Sequence, residues 1–298
     1  MSTEQGPPGS SSIPRTRLAV DLDDRFLHAF RLAALQAGAV ARRLQGEIAA
    51  LQKSGERSPE GAALTAADLA TQDLILLLLQ SEFPDLAVDA EEDTATRDLF
   101  QPEGTGRPVC VVDPIDGTYN YARGSRDYAV MGGWLRDEAF QAAVVHFPAW
   151  GESERGHTFW GSRGGGAWFQ EGDGPPLPAR LDAPRNRILV APYLERTLGD
   201  ARLQRLTDEG FEVEISRCSA VDATAPVNGR AAAAAAPGPS SRRRPSGLYV
   251  TLCAGGTVLV DGRPWHGEDP RAGMIGAGVV VTAADPVLAR RIHDLLTR

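Results

Sequence analysis

The chain has 298 residues, 42% of them hydrophobic, and its 31 Lys and Arg against 39 Asp and Glu give a formal net charge of −8. This size suits one large α/β domain or two packed halves. The negative charge excludes a broad basic surface for nucleic acid, and the longest apolar run, 74–79, is too short to cross a bilayer. With three widely spaced cysteines that predict buried thiols, the sequence indicates a cytoplasmic protein without nucleic-acid or membrane partners.

The N-terminal third of the sequence predicts a tail and two helices. Residues 1–20 are rich in Ser, Gly and Pro, so we predict a disordered tail and no signal peptide. Apolar residues at helical spacing predict a helix over 22–51, capped by Asp21 or Asp23, before a polar break at 53–61. Thr65 and Asp68 form a weak capping box for a second helix over 65–83, which Pro84 ends.

The next segment predicts an antiparallel meander. Short apolar and β-branched runs separated by Gly and charged turns predict strands, with a loop at 97–106 and a tight hairpin at the three glycines 164–166. The predicted strands cover 86–89, 108–112, 128–135, 140–147, 158–160 and 167–169.

The C-terminal half alternates strand and helix. We predict strands at 188–192, 211–215, 258–260 and 275–282, a helix at 198–208, and a last helix that Asp285 and Pro286 begin. Residues 230–244 stand apart, with six consecutive alanines, a Pro-Gly-Pro-Ser-Ser segment and three arginines. The predicted domain runs over 21–298, with halves at about 21–180 and 181–298.

Two groups of carboxylates follow two of the predicted strands. Asp89, Glu91, Glu92 and Asp93 follow one, and Asp113 and Asp116 follow the other. Strand ends can lie side by side in a sheet, and hard oxygen ligands suit Mg²⁺, which also takes phosphate oxygens. The alternative is a surface turn beside a solvated acidic loop. The almost fully apolar strand before Asp113 counts against it, because a bare buried carboxylate is costly.

The segment 112–121, Val-Asp-Pro-Ile-Asp-Gly-Thr-Tyr-Asn-Tyr, resembles the signature of the inositol monophosphatase family. Other stretches match that family in the same order, and the similarity covers about 22–296. They are Thr65-Ala66-Ala67-Asp68, Ala90-Glu91-Glu92, the glycine-rich 161–169, Arg217-Cys218-Ser219-Ala220 and Ala254-Gly255-Gly256.

The resemblance implies a layered αβαβα fold of the α/β class and Mg²⁺-dependent hydrolysis of a small phosphate monoester, with a homodimer as the expected assembly. By position, Glu91, Asp113 and the Ile115 carbonyl would hold a first Mg²⁺, and Asp113 and Asp116 a second. The other roles follow in the same way. Thr118 with Glu91 would orient the attacking water, and Asp68 would support Thr118 or a third ion. The amides of Gly117 and Thr118 would hold the phosphate. Ser219 and Ala220 would touch the alcohol part of the substrate.

One departure from the family pattern concerns the second metal. Counted back from Ala254, the position of the family's Trp-Asp aspartate falls on Arg243, and no acidic residue occurs between Asp222 and Asp261. An arginine repels a dication, although it can bind phosphate. Three explanations stay open: a weak second metal and a slow enzyme, a non-catalytic phosphate-ester binder, or a local reading-frame fault over 231–245.

The leading hypothesis is therefore a phosphoric monoester hydrolase, and the sequence leaves its substrate undetermined. Inositol phosphates, sugar phosphates, nucleotide phosphates and histidinol phosphate are all handled by proteins that carry this signature. A catalytically inactive relative and a 3′(2′),5′-bisphosphate nucleotidase are the alternatives.

Overall fold

The computed structural model describes residues 17–47, 50–52, 63–104 and 106–298, with side chains from residue 22 onward except at 50–52 and 63–65. The predicted tail up to residue 16, the polar break at 53–61 and the Thr65 cap therefore lie outside what is described. The last residues of the predicted tail, from Arg17, are instead the start of the first helix.

A seven-stranded sheet forms the N-terminal half. In spatial order its strands are β3 (Ala87–Ala90), β4 (Val109–Asp116), β5 (Ala129–Arg136), β6 (Ala139–Phe147), β7 (His157–Ser162), β8 (Gly166–Glu171) and β9 (Leu177–Pro178). Within this sheet only β3 and β4 are parallel, and each later strand pairs antiparallel with the one before it, so the predicted meander is confirmed. A separate antiparallel pair consists of β1 (Ala50–Gln52) and β2 (Ala63–Thr65).

Two helices, α1 (Arg17–Leu44) and α2 (Ala66–Glu82), cover one face of this sheet. Phe30 of α1 packs directly over Gly132 of β5, where any added Cβ would clash with its ring. The predicted first helix was too long at its C-terminal end, because α1 stops at Leu44. Gly46 follows with φ +84°, the left-handed conformation in which glycine commonly ends helices.

A mixed six-stranded sheet forms the C-terminal half. Its strands, in spatial order, are β11 (Glu212–Ile215), β10 (Arg187–Val190), β12 (Ala233–Ala236), β15 (Val280–Ala283), β13 (Thr257–Val260) and β14 (Arg263–Pro264). The helices of the rest of the chain are α3 (Thr118–Tyr121), α4 (Pro192–Leu198), α5 (Asp200–Asp208), α6 (Ser219–Ala223), α7 (Ala225–Asn228), α8 (Pro245–Cys253) and α9 (Pro286–Thr297), with 3₁₀ turns at Ala95–Leu99 and Pro270–Ala272.

The layers follow the predicted α/β order αβαβα. Helices α1 and α2 form the first layer, α6 to α8 lie between the two sheets, and α5 and α9 cover the outer face of the second sheet. The ring of Phe140 in β6 stacks on Tyr249 of α8 at 5.3 Å between centroids, and Trp265 meets it edge-on at 6.0 Å. One continuous core therefore joins the two sheets.

Two predicted boundaries in the second half were wrong, and one strand was missed. Pro192 begins α4 instead of ending a strand, because proline suits the first turn of a helix. The strand predicted over 275–282 is only Val280–Ala283, since Gly276 turns the chain at φ +80°. The alanine run, assigned no element from sequence, contains the buried strand β12.

The last helix begins as predicted, with the Asp285 carboxylate accepting from the amides of Val287 and Leu288. Within the part of the chain that the structure describes, no helix combines the length and apolarity needed to span a membrane.

Candidate active site

The two acidic segments meet because β3 and β4 are parallel neighbours. Ala90 lies opposite Val112, and the Glu91 amide extends the ladder by donating to the Val112 carbonyl at 3.1 Å. Carboxyl ends of parallel strands share one sheet edge, which brings Glu91 to Asp113. The predicted convergence of these two groups is thus observed.

Asp113 is the most deeply desolvated acid of this cluster. All eight residues of β4 are buried, and Asp113 is only 3% exposed. Burial raises its pKa well above the usual range, and the neighbouring Glu91 and Asp116 raise it further, while Arg243 opposes them. Glu91 shares a side-chain hydrogen bond with it, yet Oδ1 of Asp113 has no hydrogen-bond partner. Such a buried acceptor is costly unless a cation or donor completes it.

The turn after β4 sets the positions of Asp116 and Thr118. The pairing of β4 with β5 shifts register between Asp113 and Asp116. Gly117 then takes φ +84°, and a Cβ there would lie 3.0 Å from the Asp127 carbonyl oxygen. Only glycine suits both conditions, so the Gly117 backbone turns the chain directly into α3.

Thr118 and Asp68 form the predicted pair. The Thr118 hydroxyl lies 3.0 Å from Oδ1 of Asp68 and 2.9 Å from the Ile115 carbonyl oxygen. Asp68, on the first turn of α2, is 1% exposed and Thr118 is 9% exposed. With its hydrogen directed at one of these acceptors, the hydroxyl oxygen retains lone pairs that can accept from a water.

Asp116 is held differently from the prediction. Its carboxylate accepts from the Ser219 hydroxyl at 2.5 Å, the Ala220 amide at 2.6 Å and the Cys218 thiol at 2.9 Å. It therefore faces the first turn of α6. The Ala220 side chain is fully buried. Ser219 lines the cavity described below, but Ala220, predicted to touch the alcohol, instead anchors Asp116 through its amide.

Arg243 lies beside the acidic edge, as the count from Ala254 predicted. Its guanidinium pairs with Asp89 at 2.6 Å and is 3.5 Å from the Ala90 carbonyl oxygen. The adjacent Arg242 points elsewhere and pairs with the buried Asp269 at 2.6 Å and with Glu103. One arginine of the triplet thus balances charge at the site, and another joins distant loops.

The donors fit one divalent cation better than two. Glu91, Asp113 and the Ile115 carbonyl supply hard oxygens, and the unsatisfied Oδ1 of Asp113 is an acceptor that a cation could complete. Asp116 already accepts three hydrogen bonds. The guanidinium of Arg243 lies close enough to lower the pKa of Asp113, and its positive charge disfavours a second cation beside these acids. Glu91 and Asp113 supply only two acidic side chains to this set, and among the described residues no group of three or more His, Cys, Asp or Glu side chains is arranged for a metal.

A cavity of about 550 Å³ lies beside Asp116 and Thr118, and we call it the alcohol pocket after the role proposed for it below. Asp116, Gly117 and Thr118 form one end of it. Its walls come from α6, β12, the following Pro-Gly-Pro segment and α8, and include Ala234, Ala236, Pro237, Leu248, Val280 and Thr282.

Two residues near the site were missed from sequence. Gln72 of α2 donates to the Glu92 carbonyl at 2.7 Å and accepts from the Glu92 amide at 2.8 Å, which fixes the backbone next to Glu91. Asp222, buried in α6, lines the alcohol pocket, and burial raises its pKa. Nothing in the sequence pattern distinguished Gln72. Asp222, in contrast, stands among the apolar residues Ala220, Val221 and Ala223, and a carboxylate in such a stretch could have indicated a site.

Comparison with known proteins agrees with the fold and the motifs. The family model described as "Inositol monophosphatase family" matches residues 21–220, so the anomalous stretch 231–245 lies beyond the match. The extragenic suppressor protein suhB of Bartonella henselae superposes with a TM-score of 0.74 at 20% identity, covering 92% of this chain and 99% of that one.

Curated relatives match over shorter spans. Histidinol-phosphatase of Chlorobaculum parvum is 34% identical over 106 residues, which is 36% of this chain and 37% of that protein. Inositol monophosphatase 3 of Solanum lycopersicum is 29% identical over 199 residues, or 61% and 70% of the two chains. The chain spans between about a third and half of the length of several such relatives.

Proposed function

Because this chain belongs to the inositol monophosphatase family, we propose that it is a phosphoric monoester hydrolase that cleaves a small phosphate ester with the help of Mg²⁺. The observation that carries the proposal is the buried Asp113 carboxyl, whose Oδ1 has no partner and whose neighbour Asp116 lines a ligand-sized cavity. A purely structural role would not favour leaving that acceptor unsatisfied.

Glu91, Asp113 and the Ile115 carbonyl are the groups that would hold Mg²⁺. When bound, such an ion supplies positive charge to the phosphate oxygens and lowers the pKa of a bound water. The protein has a net charge of −8, so it needs a cation at the site to attract a phosphate.

The chain's own residues position the reactants. Asp68 orients the Thr118 hydroxyl, and Thr118 with Glu91 positions the attacking water. The Gly117 and Thr118 amides, at the start of α3, bind phosphate oxygens. Ser219 is at the alcohol side of the pocket. Gln72 acts indirectly, because it fixes the backbone that carries Glu91.

Asp113→Asn is the decisive substitution. The variant should release phosphate from a panel of sugar, inositol and aryl phosphates at least ~1000-fold more slowly than the unmodified protein. The neutral amide carries no negative charge to neutralise a cation at this position. The assay is run with and without Mg²⁺. Equal turnover of the two proteins, or turnover in the presence of chelator, contradicts the proposal.

A binder that has lost catalysis is the second candidate, and Arg243 is the observation that favours it. The guanidinium beside Asp89 repels a second dication while it can still attract phosphate. Binding of inorganic phosphate without phosphate release from any ester of the panel supports this candidate against the enzyme.

We further propose a cytoplasmic location, a small phosphorylated substrate and no nucleic-acid or membrane partner. We also propose a homodimer, and light scattering can test that assembly. The reading-frame fault at 231–245 stays a hypothesis about the gene. Absence of a Trp-Asp pair in its other frames counts against it.

A further inference from the structure

The lining of the alcohol pocket is unusual for a site that receives a sugar or polyol. Alanine, proline, leucine and valine side chains supply much of its wall, beside the polar side chains of Asp116, Thr118, Ser216, Ser219, Asp222 and Thr282. Arg196, Arg217 and Arg244 also line it, but all three are exposed, which places them on the solvent side. The interior next to the phosphate end is therefore mostly apolar.

The volume depends on the alanines of β12. Ala233 and Ala235 pack into the core beneath α9, whereas Ala234 and Ala236 face the alcohol pocket. Alternation of this kind is the normal period of a strand. Larger β-branched residues at the two inward positions would fill part of the 550 Å³ that the alanines leave open.

A polyol gains little in such a space. Each of its hydroxyls would lose hydrogen bonds to water, and the walls offer few replacements. Two buried polar atoms among the described lining residues have no hydrogen-bond partner, Oδ1 of Asp222 and Oγ1 of Thr282. The hydroxyls of Thr118, Ser216 and Ser219 also line the pocket, but each already donates to a protein oxygen. An apolar ring, in contrast, gains about 25 cal/mol for each Å² removed from water.

We propose that the alcohol pocket binds the ring-sized, largely apolar alcohol part of the substrate, such as an aryl or alicyclic phosphate monoester. The assignment rests on the proposed function, which places the phosphate beside Asp113 and Thr118. It predicts a preference opposite to that of a polyol phosphatase. The volume lies within the range of small-molecule sites and is large enough for a bicyclic ring.

Binding of the free alcohol tests the pocket without requiring turnover. Calorimetry compares 2-naphthol with myo-inositol on the full chain, and 2-naphthol should bind with at least ~10-fold lower Kd. Ala234→Leu should raise that Kd at least ~10-fold, because leucine occupies the space. If this variant does not fold, Ala236→Val at the half-buried end of β12 is measured instead, and it should also raise the Kd for 2-naphthol. Ala139→Val, a partly buried strand end outside the pocket, is the matched control and should bind normally.

Catalysis supplies an independent readout. The kcat/KM for 2-naphthyl phosphate should exceed that for myo-inositol 1-phosphate by ~10-fold or more. Tighter binding of inositol, or naphthol binding that neither pocket variant weakens, overturns the inference. Absence of phosphate release from every ester instead contradicts the proposed function, and the alcohol-binding comparison still decides the pocket.

Discussion

A single side chain, Arg243, places a guanidinium beside the acidic edge. Its guanidinium is 2.6 Å from Asp89 and lowers the pKa of Asp113 against the effects of burial and neighbouring acids. The positive charge that a second ion would bring is thus partly supplied by the protein.

Arg243→Asp should restore a second cation site. The substitution removes the guanidinium and adds an oxygen ligand beside Asp89, so calorimetric titration with Mg²⁺ or Mn²⁺ should show one more bound ion than the unmodified chain. Arg244→Asp changes the charge equally at an exposed neighbour and should leave the number of ions unchanged. Two or more ions bound by the unmodified chain would be incompatible with this interpretation.

At the scale of elements, α1 reaches the sheet through small residues that allow close approach. Gly38 packs against the ring of His146 in β6, where a Cβ would lie 2.6 Å from Cδ2. The ring is 1% exposed, and its Nδ1 is 3.0 Å from the Thr158 hydroxyl. Burial lowers the pKa of His146 to about 4, so the imidazole stays neutral at neutral pH.

This buried histidine makes stability depend on pH. The unfolded chain gains the proton near pH 6.5 and the folded chain only near pH 4, so the contribution is complete above pH 6.5 and is lost as pH falls toward 4. The loss in free energy of unfolding approaches about 3 kcal/mol. Urea unfolding at several pH values measures it. His146→Gln can still bond Thr158 but does not titrate, and an equally steep pH dependence in that variant would contradict the assignment.

At the scale of the whole molecule, the two sheets share one core. Phe140 of the first sheet contacts Tyr249 and Trp265 of the second half, and the pair Arg242–Asp269, with Glu103, joins loops of both halves. Shared burial of this kind couples the folding of two units. The single domain over 21–298 stays a prediction, and cooperative unfolding can test it.

We expect one cooperative unfolding transition, seen equally by tryptophan fluorescence and far-ultraviolet circular dichroism. Phe140→Ala should lower the free energy of unfolding by about 3–5 kcal/mol and shift both probes together, because it removes a fully buried ring between the sheets. Phe26→Ala, on α1 and in contact with Phe83 and Trp134 of the same half, is the comparison within one half. Two separate transitions in the unmodified chain would show that the halves fold independently.

Local pattern determined much of this protein. Apolar periodicity and turn residues were sufficient for the meander and the second helix, and the spacing around Asp113, Asp116 and Thr118 identified the acidic edge. These features depend on neighbours in sequence. Only the tertiary structure decided that Asp116 faces the start of α6, that Gln72 fixes the Glu91 segment, and that Arg243 pairs with Asp89. The tertiary structure also makes the alanine run a strand, because pairing with β10 and β15 and burial between helices override its weak local preference. That strand then forms a wall of the cavity.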